Sequence, residues 1–297
     1  LVTYKTLGGR IFQTVNYILL GSLAIISLLP ILNILAVSFS SGHAAAAGKV
    51  SLWPVDFNLK AYQFVINNRI FWFSFWTSIK RVIVGVPVNL LIVILTAYPL
   101  SLTNKELKGR SVFSWFFLFS MLFSGGLIPL FLTVQETGLI DSFWSLIIPS
   151  AVPVYYVIIM INFFRQVPNE LIEAARIDGA GHLRVLFRIM VPLAKPAIAT
   201  ITLLCFILHW NSWFDGLLYI GQQERQPLQS YLQSMLTRPV DIAALARNPE
   251  QWKVMQFVSE RTVKSAQIFI ATIPIMVIYP VIQKYFTKGV LVGAVKG

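Results

Sequence analysis

The chain has 297 residues, of which 56% are hydrophobic and only 12% charged, with a mean hydropathy of +0.71. Soluble domains carry about 25% charged residues, so this composition excludes a large soluble core and indicates a polytopic membrane protein. The formal charge of +12 does not imply a nucleic-acid partner, because basic residues also accumulate in the cytoplasmic loops of membrane proteins.

Six apolar runs are long enough to cross a hydrocarbon core about 30 Å thick. They lie near 11–38, 79–100, 112–134, 143–163, 196–220 and 264–286. The expected fold is an all-α membrane protein with six transmembrane helices, a single transmembrane domain over 1–297. The first run is too long to be a signal-peptide core, and no convincing small-residue cleavage site follows it. The chain starts at Leu1 rather than Met, which predicts a native N-terminus upstream. Pro30, Pro87, Pro129, Pro149, Pro153, Pro274 and Pro280 fall inside runs. Membrane helices accommodate proline where neighbours satisfy the freed carbonyls. The stretch IFWFSFW (70–76), just before Lys80 and Arg81, reads as an aromatic belt at an interface. Cys205 is the single cysteine, which excludes an intrachain disulfide and suits a small buried hydrophobe.

An even number of spans places both termini on one side. Thirteen of the 24 basic residues would share that side, Lys105, Arg110, Arg165 and Arg176 among them. Lys80 and Arg81 count with the opposite loops. The balance favours cytoplasmic termini, with the loops 40–70 and 221–263 facing outward.

Between the fourth and fifth runs the sequence turns polar: RQVPNELIEAARIDGAGHLRVLFRIMVPLAKPAIA (165–199). Asn169 after Pro168 suits a helix N-cap, and Glu170 in the first turn suits the helix dipole. The first helix should end near Asp178, with Gly179 and Gly181 supplying the stop and turn. A second helix should present Leu183, Leu186, Phe187 and Met190 as one apolar face, with Arg184 and Arg188 on another. Pro192 and Pro196 end that pattern. The result is a helix–turn–helix at the membrane surface. It reads either as a connector lying at the lipid interface or, given a turn set by two glycines, as a docking site for a cytoplasmic partner.

This segment resembles the EAA loop of bacterial ABC importer permeases: Glu-Ala-Ala, three residues, Gly, nine residues, Ile, one residue, Leu-Pro. The chain has Glu173, Ala174 and Ala175, then Gly179, Ile189 and Val191-Pro192. Val191 stands where Leu is usual and keeps an apolar contact. The stretches AYPLS (97–101), SGGLIPLFLTVQETGLIDS (124–142), HWNSWFDGLLY (209–219) and YFTKGVLVGAVKG (285–297) are similar to the carbohydrate branch that includes the maltose permease subunits. They look most like its members handling alginate, aldouronate or similar fragments. The resemblance implies a type I ABC importer permease with a cytoplasmic coupling helix within 165–195. Glu173, Ala174, Ala175, Arg176, Asp178 and Gly179 would contact the ATPase. Implied partners are a second homologous permease, two ATPase subunits that bind ATP and Mg, an extracytoplasmic solute-binding protein, an oligosaccharide and membrane lipid. The implied location is the bacterial inner membrane.

The chain has no G-x-x-x-x-G-K-[ST] phosphate loop, so ATP is expected on a partner and no cofactor in this chain. His43, His182 and His209 lack metal-ligand spacing. For the substrate pathway, polar and aromatic residues within spans are the candidates: Trp210, Asn211, Trp213 and Asp215 in the outer half of the fifth span, beside His209. Tyr156 on the fourth span follows, with Tyr155 and Asn162. Tryptophan suits the apolar faces of sugar rings, and Asn and Asp suit their hydroxyls. Ordinary helix packing remains the alternative for these residues. A secondary sugar transporter would instead need ion-binding carboxylates at midplane, a description that only Asp215 approaches.

Overall fold

A computed structural model describes residues 7–237 and 257–294, with side chains as far as 280. Every regular element in it is helical. In chain order these are α1 (Leu7–Ser38), α2 (Gly42–Ala46), α3 (Lys60–Ile66), α4 (Arg69–Ser101), α5 (Arg110–Leu122) and α6 (Leu127–Glu136). Two 3-10 turns (Phe143–Leu146, Ile148–Ser150) precede α7 (Val154–Phe164) and α8 (Asn169–Ile177). Then come α9 (His182–Val185), a π-turn (Leu186–Met190), α10 (Val191–Leu193), α11 (Lys195–Asn211), α12 (Phe214–Tyr219), α13 (Leu228–Thr237) and α14 (Glu260–Ala294).

Three helices are individually long and apolar enough to cross a membrane: α1, α4 and α14 up to Pro280, with mean hydropathies of 2.4, 2.1 and 1.5. Three more candidate spans are bent. α5 and α6 meet at 112°, the 3-10 turns and α7 at 50°, and the α9–α10 segment and α11 at 82°. The runs 112–134 and 143–163, each read as one span, are therefore broken. α5 stops at Phe123, whose backbone is extended, and the chain restarts at Leu127. Run 196–220 is broken too: α11 ends at Asn211, Ser212 is extended, and α12 starts at Phe214. α4 begins ten residues before the expected 79, so IFWFSFW lies inside a helix and Arg81 is a helix residue, not a loop charge. That removes Arg81 from the loop charges used to orient the chain.

The chain divides into two compact units. One holds α1 to α3, the first turn of α4 and the described residues 235–237 and 257–272. Within it α1 buries only Ala36, Val37 and Ser38. From Leu7 to Leu29 its Leu, Ile and Phe side chains stand exposed, a surface that water would not tolerate and lipid or a partner helix would cover. Ser40 closes the end of α1: its hydroxyl donates to the Ala36 carbonyl (2.6 Å) and accepts from the Val55 amide (3.0 Å).

The other unit holds residues 73–234 and the described remainder of α14. Its core holds Val93, Ala97, Val157, Met160, Ala197, Ile201 and Cys205, all buried, together with the polar Arg81, Asn89 and His209. Both candidate functional regions belong to this unit.

Candidate functional site

The Glu-Ala-Ala segment forms α8. Pro168 occupies the N-cap position and no side chain caps the helix, so Asn169 is its first residue and not its cap. Glu170 lies in the first turn and Arg176 in the last, each favourable to the helix dipole. Ile172 is buried, with Ala175 and Arg176 half-buried beside it. These positions, three and four apart, are the face laid on the protein body. The opposite face carries Leu171, Ala174 and Ile177, and Ile177 is 86% exposed. Leu171, 46% exposed, shares this face with it.

A Schellman turn ends α8. The Gly179 amide donates to the Arg176 carbonyl (3.0 Å) and the Ala180 amide to the Ala175 carbonyl (2.9 Å), the two bonds that define the motif. Gly179 has φ of +78°, a conformation glycine adopts without the Cβ penalty. Gly181 plays no comparable part: its φ is −72° and ψ 168°, and a Cβ there would meet nothing within 4 Å. One glycine, not two, sets the turn.

The second helix of the loop also departs from its expected register. Val185, Leu186 and Met190 are buried, whereas Leu183 is 68% and Phe187 48% exposed. The π-turn at Leu186–Met190 adds a residue to one turn. The buried positions therefore recur at four and five instead of three and four.

Two contacts tie the loop to the body. Arg176 Nη1 donates to Glu106 Oε1 at 2.5 Å, and Glu106 is fixed in turn by the Thr103 amide (3.0 Å). The Thr103 amide and Arg176 hold the Glu106 carboxyl below its usual range, while the bond to Glu106 raises Arg176. The Tyr98 hydroxyl lies 3.1 Å from His182 Nδ1. Arg176 thus faces inward as an anchor, and Glu173, Ala174, Asp178 and Gly179 are exposed.

The pathway candidates separate clearly. Trp210 is 1% exposed, stacked on Phe206 and edge-on to Phe75. The Tyr156 hydroxyl donates to the Leu204 carbonyl at 3.4 Å. Asp215 accepts from Arg81 Nη1 (3.1 Å) and from the Ser212 hydroxyl (2.9 Å), and its second oxygen pairs with Arg81 Nη2. Asn211 and Trp213 are exposed, on either side of the break between α11 and α12, as are Tyr155 and Asn162 on α7. Trp210 and Asn211 are adjacent, about 100° apart on the helix, which is why one packs and the other does not.

Composition alone does not reveal the partners of Asp215. Arg81 is 1% exposed. Its Nε donates to His209 Nδ1 (3.4 Å), and His209 Nε2 lies 2.5 Å from Asn89 Oδ1. Asn89 Nδ2 then donates to the Ser150 and Ala151 carbonyls at 2.8 and 2.9 Å. One proton arrangement satisfies the whole chain: a neutral His209 protonated on Nε2, with the Asn89 amide oriented as stated. Gly85 makes room for it, since a Cβ there would stand 2.5 Å from His209 Nε2. The network joins α4 to the helix breaks at 150–154 and 212–213. The clue in the sequence is Arg81 itself, a cation just past an aromatic run with no acid nearby along the chain. Because it neutralises Asp215, the carboxylate that an ion-coupled secondary transporter would need is already engaged.

Residues 6–292 match the family described as "Binding-protein-dependent transport system inner membrane component". Protein LplC of Bacillus subtilis (strain 168) is 40% identical over 294 residues, covering 99% of this chain and 98% of LplC. The polygalacturonan/rhamnogalacturonan transport system permease protein YtcP of the same organism is 36% identical over 289 residues, covering 97% and 99%. A chain from the crystal structure of a bacterial ABC transporter involved in the import of the acidic polysaccharide alginate superposes with TM-score 0.85 at 38% identity, covering 96% of this chain and 100% of that one. With its bent helical spans and its Glu-Ala-Ala helix, the chain belongs to the binding-protein-dependent transport system inner membrane components, the permease subunits of ABC transporters.

Proposed function

We propose that this chain forms half of the translocation pathway of an ATP-driven, binding-protein-dependent importer of oligosaccharides. A second homologous permease completes the pathway. Two ATPase subunits bind ATP and Mg and dock on the Glu-Ala-Ala loop, and an extracytoplasmic solute-binding protein delivers the sugar. The observation that carries this reading is α8, a short helix with an exposed Leu171–Ala174–Ile177 face, ended by a glycine turn and anchored from behind by Arg176 and Glu106. Small alanines permit close approach, and the exposed Glu173 can pair with a basic residue of the ATPase. Movement of the ATPase against α8 would pass through Glu106 to the α4–α5 connection and through His182 to Tyr98 on α4.

The substrate class proposed is a fragment of a polysaccharide. Relatives named for polygalacturonan and rhamnogalacturonan and for alginate support it. Asn211 and Trp213 are the side chains of this subunit placed to meet the sugar. Losing one hydrogen bond costs about 0.5–1.5 kcal/mol, so Asn211→Leu or Trp213→Ala should lower uptake several-fold without abolishing it. The check is ATP-dependent uptake in membrane vesicles, with oligogalacturonate, oligoalginate and maltodextrin as competitors. Uptake that persists without ATP would overturn the importer reading. Uptake and selectivity unchanged in both variants would return these side chains to packing.

The termini and the coupling loop are proposed to face the cytoplasm. Cysteines introduced at Lys105 and His182 should then react only with reagents applied from the cytoplasmic side, and a cysteine at Glu224 only from outside. All three positions are exposed. Labelling of His182 from outside would reverse the orientation and remove the ATPase contact with it.

A further inference from the structure

Behind α8 lies a cavity of about 560 Å³, bounded by the end of α4, the α4–α5 connection, the end of α7 and the inner face of α8. Four cations line it, Lys105, Arg110, Arg165 and Arg176, against two carboxylates, Glu106 and Glu173. Glu106 is already engaged by Arg176 and Thr103, and Glu173 is exposed. Among the described residues neither Arg110 nor Arg165 forms an ion pair. Each donates one N–H to a main-chain carbonyl, Arg110 to Leu102 and Arg165 to Leu100, both at 3.3 Å. A guanidinium has five donors, so most remain for another acceptor. Arg110 Nε and Arg176 Nη2 are buried without a hydrogen-bond partner, and a buried donor left unpaired is costly. Burial, and then the like charge of Arg110, hold the Arg165 guanidinium below its usual value. Arg110 and Arg176 each bring a buried unused donor and Arg165 an exposed guanidinium beside them, a cluster whose donors suit an anion.

We propose that this cavity binds a phosphoryl group, gripped by Arg110 and Arg165 with Lys105 and Arg176 at its rim. A phosphoryl group offers three strong acceptor oxygens, matching the several N–H groups that converge here. The cavity is lined where the apolar helices α4 and α7 end and α5 begins, and ends of membrane-spanning helices would lie near the headgroup phosphates. The phosphoryl group therefore comes either from an anionic phospholipid headgroup or from free phosphate. The site stands on this geometry and is independent of the transport reading. If it is correct, occupancy would brace α8 from behind.

The test uses the full chain with the subunits that accompany it on purification, beside the variant Arg110→Gln/Arg165→Gln. Native mass spectrometry counts phosphatidylglycerol retained from nanodiscs of mixed phosphatidylcholine and phosphatidylglycerol. Thermal unfolding is read in inorganic phosphate and in chloride of matched ionic strength. A lipid source predicts phosphatidylglycerol retained by the wild type and held about tenfold or more weakly by the variant. A free-phosphate source predicts no retained lipid and a phosphate-specific rise in unfolding temperature that the variant loses. If neither ligand distinguishes wild type from variant, or chloride serves as well as phosphate, the proposal is overturned. Should the double variant not assemble, Arg165→Gln alone carries the same comparison, because that side chain is exposed.

Discussion

Removal of the Asp215 carboxylate, as in Asp215→Leu, is expected to destabilise the chain by about 3–5 kcal/mol, because it leaves a buried cation without its partner. Arg81 is 1% exposed, and its other neighbours, His209 and the Ser212 carbonyl, carry no charge that could replace the carboxylate. The double replacement Arg81→Met/Asp215→Leu should recover most of the loss, since a buried pair replaced by apolar groups of similar volume is often close to neutral. Thermal or denaturant unfolding of the detergent-solubilised protein reads both effects in one mutant cycle. Wild-type stability in Asp215→Leu together with lost uptake would show instead that Asp215 acts on the substrate. The same network gives a reason for Gly85: any side chain there must displace His209 from between Arg81 and Asn89.

The second large effect is on coupling. Gly179→Pro should reduce ATP-dependent uptake by about an order of magnitude or more while the subunit remains inserted and assembled. Proline fixes φ near −65°, whereas the turn requires +78°. It also removes the N–H that the Arg176 carbonyl accepts in the Schellman turn. Differences of about 1.4 kcal/mol already change an equilibrium tenfold, and this substitution forbids the native turn outright. Glu173→Lys should also uncouple, by reversing the exposed charge offered to the ATPase. Gly181→Ala is the control, expected to transport normally because its backbone is extended and the surrounding space is open. Normal uptake by both Gly179→Pro and Glu173→Lys would remove α8 from the coupling step. Loss of assembly alone would make the turn a folding element.

Much of this protein is legible in its sequence, and for local reasons. An apolar run of about 20 residues must lie in lipid or in a core whatever its neighbours are, so the helical membrane architecture and the approximate positions of its spans follow from composition. The Glu173–Gly179 segment is equally local. Its helix, its dipole-matched charges and its αL glycine depend on residues within one turn of each other, and they form as expected. Gly181 looked equivalent, but only the backbone path distinguishes it from Gly179.

The rest required tertiary structure, because the deciding partners are distant in the chain. Arg81 and Asp215 are 134 residues apart, Asn89 and His209 are 120, and Glu106 and Arg176 are 70. Hydrophobic periodicity shows that a segment can be buried, but it does not name the side chain it will meet. Hence Trp210 and Asp215, chemically plausible sugar contacts, are committed to packing and to an ion pair, while Asn211 and Trp213 remain exposed at a helix break. The break itself is not written in residues 196–220, which read as one apolar run. It persists because Asp215 is held by Arg81 and the Ser212 hydroxyl, and because the Trp213 carbonyl accepts from the Ser230 hydroxyl at 2.7 Å. Composition determined which parts of this chain must avoid water. Contacts between residues far apart in sequence decided where its helices bend and which polar side chains stay free to act.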